Sequence, residues 1–375
     1  MTERADRAPL GELARLFLKL GTISFGGPAA HIAMMEHEIV RRRAWLTRED
    51  FLDLVGAVNL IPGPNSTEMA IHVGRERAGW RGLLVAGTCF ILPAVVIVGA
   101  IAWAYVRFGT LPAAAWLLYG VKPVVIAVVL QALWGLGRTA VKSGWLAALG
   151  LAAVAATALG VNELLVLGAA GALGIARQRT WRASLAAWTA GAGSLAGAPA
   201  AFGLWPLFGV FFKVGAVLFG SGYVLLAFLR ADLVQRLHWL TERQLLDAVA
   251  VGQVTPGPVF TTATFVGYVL HGVPGAAVAT AGIFLPAFVY VALSSAILPR
   301  VRRSPAARAA LDAVNVASLA LMAVVTWQLA GAALVDAWTV LLAAAATVLL
   351  LRFHLNSSWL VLGGAAVGLA VHAFG

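Results

Sequence analysis

The chain has 375 residues, 61% of them hydrophobic and 11% charged, with a mean hydropathy of +0.88 and a formal net charge of +11. That composition excludes a soluble globular domain, and apolar runs long enough to cross a hydrocarbon core of ~30 Å recur along its whole length, as in a polytopic membrane protein. Nucleic acid is excluded as a partner, because the basic residues stand in short clusters between apolar runs, where they read as cytoplasmic loop markers.

In chain order, the first part has apolar segments at 10–35, 51–73, 80–106, 113–135, 145–160 and 162–176 and closes on Arg177, Arg179 and Arg182. Residues 183–203 are small and apolar and read as a linker or one further span. The second part repeats the pattern at 204–229, 245–270, 274–298, 308–331, 334–352 and 356–373. Three regions follow: a first membrane repeat (1–182), the linker (183–203) and a second repeat (204–375). Met1–Arg7 is charged and lacks the apolar core of a signal peptide, so none is expected. The single cysteine, Cys89, excludes an internal disulfide and reads as packing.

Two apolar segments contain a break. Pro62-Gly63-Pro64 is followed by Asn65, Ser66, Thr67 and Glu68, and Pro256-Gly257-Pro258 is followed closely by Thr261 and Thr262. Proline lacks the N–H for an i→i−4 bond and clashes with the preceding turn, so neither stretch continues an α-helix. The helix that restarts after each break has unpaired N–H groups and a positive partial charge at its first turn, a setting for an anion.

The two parts are copies. With an offset of 194, Lys19 falls on Lys213, Phe25-Gly26 on Phe219-Gly220, Trp45-Leu46-Thr47 on Trp239-Leu240-Thr241, Asp53 on Asp247 and the first P-G-P on the second; residues 19–64 hold 16 identities in 46 ungapped positions. After a one-residue deletion, Pro93 falls on Pro286, Trp134 on Trp327 and Trp145 on Trp338. Duplicated membrane units are a mark of secondary transporters. Thr47 and Thr241 read as N-caps, with Asp50 and Gln244 three residues on. From 48 to 61 a helix would be roughly 21 Å long, short of the bilayer core, and arginines flank it at 41–43 and at 75, 77 and 81. A re-entrant hairpin is expected. The arginine-rich stretch 74–81 has no basic counterpart at 271–275, whereas 299–308 carries four arginines. The copies are therefore expected to be inverted, with their breaks meeting near the membrane midplane.

Inversion would bring Gly26-Gly27-Pro28 and Gly220-Ser221-Gly222 close to the same place, and each copy contributes one lysine within a span, Lys19 or Lys213. Two lysines, the N–H groups and the hydroxyls of Ser66, Thr67, Thr261 and Thr262 would suit a tetrahedral dianion. The candidate substrate-binding set is Lys19, Gly26, Gly27, Pro62, Gly63, Pro64, Asn65, Ser66, Thr67, Lys213, Gly220, Ser221, Pro256, Gly257, Pro258, Thr261 and Thr262. Glu68, whose counterpart Thr262 cannot titrate, is the candidate for a coupling proton. His31 and His72 match apolar residues and read as packing. Lys122 is a further intramembrane cation, one-sided because Asn315 stands at its counterpart.

Phe-Gly-Gly-Pro at 25–28, Trp-Leu-Thr at 45–47 and Pro-Gly-Pro-Asn-Ser-Thr at 62–67, with their weaker copies at 219–222 and 255–258, resemble the chromate ion transporter family in its long two-domain form. The resemblance implies a multi-pass protein of the bacterial cytoplasmic membrane that exports chromate, shares the pathway with sulfate and confers chromate resistance. The residues alone stop at a polyvalent anion, and a passive anion channel or a transporter of another oxyanion stays open beside export. The sequence holds no Gly-x-Ser-x-Gly, no His-Glu-x-x-His and no Walker loop, so an enzyme is not expected, nor a cofactor or metal. A homodimer is left open.

Overall fold

The computed structural model describes residues 9–25, 27–109, 112–177, 202–219, 224–353, 355 and 357–374. The proposed linker, Gly26, Gly220 and Ser221 lie outside or almost wholly outside them. Among the described residues the protein is helical, and its fourteen α-helices fall into two sets of seven. The first set is α1 (Leu10–Ile23), α2 (Gly27–Glu36), α3 (Arg48–Val58), α4 (Asn65–Phe108), α5 (Pro112–Ala140), α6 (Gly144–Ala158) and α7 (Glu163–Arg177). The second is α8 (Leu204–Val217), α9 (Leu225–Leu229), α10 (Glu242–Val254), α11 (Thr262–Arg303), α12 (Pro305–Ala333), α13 (Ala337–Phe353) and α14 (Ser357–Phe374). Short π-helical turns continue α2 at His37–Arg42 and α9 at Arg230–Arg236. Even the left-handed residues match: Ala44 and His238, 194 apart, have φ of 48° and 53°.

The N-caps form as expected. Thr47 accepts from the Asp50 N–H at 3.1 Å, and Thr241 and Gln244 close a full capping box. α3 is shorter than expected, ending at Val58, because Leu60 and Ile61 turn back to bond the carbonyls of Ala57 and Val58. At 74–81, where a loop was expected, the chain stays helical apart from Ala78 and Gly79, which leave the helical conformation. The chain reverses there. A Cβ on Gly74 would strike the backbone of Gly82, contacts impossible along one straight helix, and Gly267 and Gly275 repeat the arrangement beside the turn at His271–Gly272. α4 is thus a short arm (65–77, about 20 Å) and a long arm (80–108, about 43 Å), of which only the second spans a bilayer. α11 is built likewise.

The re-entrant hairpins are real. Arg77, at the end of the short arm of α4, donates to the Trp45 carbonyl at 3.4 Å and stacks on its indole, so α3 starts where the short arm ends. In the second half Phe202 packs on both Trp239 and His271, marking the same juncture. Each hairpin therefore enters and leaves on one face, with P-G-P at its tip. Arg75, beside the base of the first hairpin, donates to the carbonyls of Val291 and Ala292. Those residues lie about 28 Å along the long arm of α11 from the base of the second hairpin, close to a bilayer's thickness. The hairpins enter from opposite ends, as inverted repeats do.

The halves interlock. The long arms of α4 and α11 pack together, α5 packs against α13 and α14, and α12 against α6 and α7. One buried core runs through both halves, from Val98 and Val125 to Phe265 and Leu321. α4, α5, α11 and α12 contain stretches long and apolar enough to cross a membrane.

Candidate functional site

The Gly63 N–H donates to the carbonyl of Leu218, at the end of α8, at 2.8 Å, and the Gly257 N–H donates to the carbonyl of Ser24, at the end of α1, at 2.9 Å. Leu218 is Ser24 displaced by 194 residues. A Cβ built on Gly63 would touch Ala287, and one on Gly257 would come within 2.7 Å of the Ala94 Cβ, its counterpart. Residue i of one half meets residue j of the other and the reverse, which requires a two-fold relation. Each tip is thus seated on the other half. Gly63 and Gly257 have φ of 137° and 89°, a region glycine enters without strain.

The first tip is bridged by the Asn65 amide, which donates to the Asn59 side-chain oxygen at 2.8 Å across the break. Asn65 opens α4 behind Pro64, and Ser66, Thr67 and Glu68 are buried, the last two with no solvent exposure. The Thr67 hydroxyl and both Glu68 carboxyl oxygens have no hydrogen-bond partner among the described residues. The second tip differs. Thr261 donates to the Pro258 carbonyl and Thr262 to the Val259 carbonyl, each at 2.8 Å, so both protons are used within their own turn. That tip borders a pocket of about 10 Å³. In this conformation the Gly63 and Gly257 N–H groups of the breaks are both capped.

A cavity of about 410 Å³ lies elsewhere, between residues 157–163 of the first half and 227–236 of the second, lined in part by Asn162, Glu163, Arg230, Asp232 and Arg236. Lys213 is tied to two of those acids, to Asp232 and, at 3.7 Å, to Glu163. Lys19 holds Glu38 at 2.7 Å, and Glu38 also receives Arg42 and Arg43. Arg236 pairs with Asp232 as Arg42 does with Glu38. Both lysines, expected as anion ligands, therefore already have a carboxylate partner. The sequence carried the signal: Glu38 and Asp232 superpose at offset 194. Burial alone would raise Glu38, yet bonds from Lys19 and Arg43 hold it at about 2.

Two polar groups named from the sequence have partners that it did not reveal. His31 is buried and shares the Ser24 carbonyl with Gly257, its Nε2 lying 3.1 Å away, while its Nδ1 has no partner among the described residues. The carbonyl can only accept, so Nε2 carries the proton. Lys122 finds its partner in the other half: its ammonium lies 2.9 Å from Asp247, which also accepts the Tyr105 hydroxyl at 2.8 Å. Gly27 opens α2 with φ of 80°, and Gly26, Gly220 and Ser221 lie outside the described residues.

An all-helical, duplicated chain with apolar spans and two oppositely entering hairpins is a multi-pass membrane protein of two-repeat architecture. A family model described as "Chromate transporter" matches it twice, over residues 11–175 and 205–369. The chain belongs to that family. It is 36% identical to the Chromate transport protein of Cupriavidus metallidurans over 97% of this chain and 93% of the relative. It is 32% identical to the Chromate transport protein of Pseudomonas aeruginosa (85% and 80% covered) and 30% identical to the Probable chromate transport protein of Synechococcus elongatus (84% and 83%). No solved structure matches.

Proposed function

We propose that the protein carries chromate, a divalent tetrahedral oxyanion, out of the cytoplasm across the cytoplasmic membrane, as a secondary transporter that lowers chromate toxicity, with sulfate as a competing substrate. The relatives named as chromate transport proteins support the substrate. One observation carries the mechanism: each hairpin tip is stoppered by a carbonyl of the opposite half. A carbonyl oxygen on the Gly63 or Gly257 N–H occupies the place of one oxygen of a bound oxyanion, so lifting a tip frees the donors that would hold the substrate. Alternating access then consists of opening one hairpin while the other stays seated. Gly27, Pro62, Pro64, Asn65, Ser66 and Thr67 would line the first half of the site, and Pro256, Pro258, Thr261 and Thr262 the second. Lys19 and Lys213 act at one remove, through Glu38 and Asp232.

No nucleotide-binding motif is present in the sequence, so an ion gradient or the membrane potential supplies the drive. The potential, about 2.3 kcal/mol per charge per 100 mV, favours exit of a dianion from a negative interior. Proteoliposomes loaded with chromate or sulfate, assayed with and without a pH gradient and a potential, test this. Saturable, gradient-coupled flux is expected; channel-like flux indifferent to both gradients would refute carriage.

A further inference from the structure

We propose that Glu68 is a tethered competitor for the anion: its ionised carboxylate and a bound dianion exclude one another, so that a dianion displacing that carboxylate at the opened first tip takes up one proton. The proposal rests on the tip being the anion site. Glu68 is the fourth residue of α4, and its N–H bonds the Pro64 carbonyl at 3.0 Å. Its side chain turns back over the start of the helix, so that a Cβ on Gly63 would fall on Oε1. The carboxyl group thus lies at the helix N-terminus, where the fold favours negative charge. It has no exposure, and neither oxygen has a donor among the described residues, so in the closed form it is held as the neutral acid.

Among the described residues, the charged groups around Glu68 have other partners. From α11, Tyr290 stands near enough to feel Glu68, but its hydroxyl donates to the Ala216 carbonyl at 2.9 Å. On its own helix, Arg75 is engaged by Val291 and Ala292, and His72 lies one turn on. From α2, His31 is bound to the Ser24 carbonyl, and from α1 and α8 the lysines are held by Glu38 and Asp232. When the tip opens to water, the carboxyl can ionise and lie against the freed N–H groups. A dianion arriving there meets a like charge, and the pair resolves by protonation: –COO⁻ and H⁺ from water give –COOH. The second tip has Thr262 at this position and takes up no proton.

Sulfate is the probe, because it does not itself titrate between about pH 5 and 9. Calorimetric titration of purified protein in two buffers of different ionisation enthalpy counts the protons taken up. In the wild type, uptake should approach one per sulfate as pH rises, with affinity falling about tenfold per pH unit there. Glu68→Gln should bind sulfate with no uptake and a flat pH profile, and Glu68→Asp should keep the uptake with a shifted midpoint. Tyr290→Phe and His31→Gln should leave the proton count unchanged. Sulfate binding without proton uptake in the wild type at every pH between about 5 and 9, or wild-type uptake in Glu68→Gln, overturns the proposal. A wild type that binds neither sulfate nor chromate removes instead the reading of the tip as an anion site.

Discussion

Lys122 and Asp247 offer the sharpest energetic test of how the halves are joined. Their side chains are 8% and 2% exposed, their charges 2.9 Å apart, and they come from α5 of one half and α10 of the other. At an effective dielectric of 20 the attraction is about 6 kcal/mol, most of it cancelled by desolvating both groups. Removing one partner forfeits the attraction and leaves the other charge buried, which costs about 3–5 kcal/mol. Lys122→Met and Asp247→Leu should each show that loss.

The double variant should recover most of it, since a well-packed apolar pair replaces an ion pair at little cost. Tyr105 complicates the sum, because its hydroxyl would lose the Asp247 acceptor at about 1–3 kcal/mol, so the cycle is best run in a Tyr105→Phe background. Unfolding in mixed micelles, followed by tryptophan fluorescence, reads each free energy. The expected signature is a coupling of several kcal/mol. Single losses that merely add, or a Lys122→Met cost below about 1 kcal/mol, would refute the pair as a buried lock between halves.

Gly257→Ala should weaken the second tip by about 1–3 kcal/mol and slow transport, since it adds strain at φ 89° and a contact at 2.7 Å; unchanged flux would show that the tip need not seat on Ala94. In a Cys89→Ser background, Glu76→Cys and His271→Cys should be labelled by an impermeant maleimide from opposite sides of the membrane, and labelling from one side would contradict inversion. Glu38 is depressed to about 2, so its contribution is complete above the usual carboxylate range near 4.5 and fades only as pH falls toward 2. Lys19→Gln should therefore lower transport without altering the pH profile between about 5 and 8, and a new acidic limb there would overturn the assignment.

The duplication, the caps and the re-entrant hairpins were legible because each rests on local rules: identity at a fixed offset, Thr followed by a polar residue three on, and proline's missing donor. The tight reversal at Ala78–Gly79 was not, since arginines at 75, 77 and 81 read as a loop while the backbone stays helical on both sides of two residues. The lysines' carboxylate partners were missed for a different reason. Their spacing from Phe-Gly is local, but their partners Glu38 and Asp232 are brought up only by the π-helical turns after α2 and α9. Lys122 finds Asp247 across 125 positions, and no periodicity announces such a meeting.

What duplication copied and what it did not copy have different physical meanings. Backbone devices recur in both halves: hairpin tips, reversals, left-handed residues, the lysine–carboxylate–arginine cluster. These build a frame that can close at either end. Four polar groups near the tips and the seam between the halves are not copied. Glu68 faces Thr262, His31 faces Leu225, Ser24 faces Leu218, and Lys122 faces Asn315. A symmetric frame with identical chemistry at each tip would bind an anion equally in both orientations and give no direction to coupling. Under the role proposed for Glu68, confining the titratable carboxyl to the first tip lets only one of the two openings exchange a proton. Thr262→Glu, which places a second carboxyl at the equivalent turn, should therefore raise proton uptake per sulfate above the wild-type value, while an unchanged count would show that the tips never bind the anion in equivalent ways.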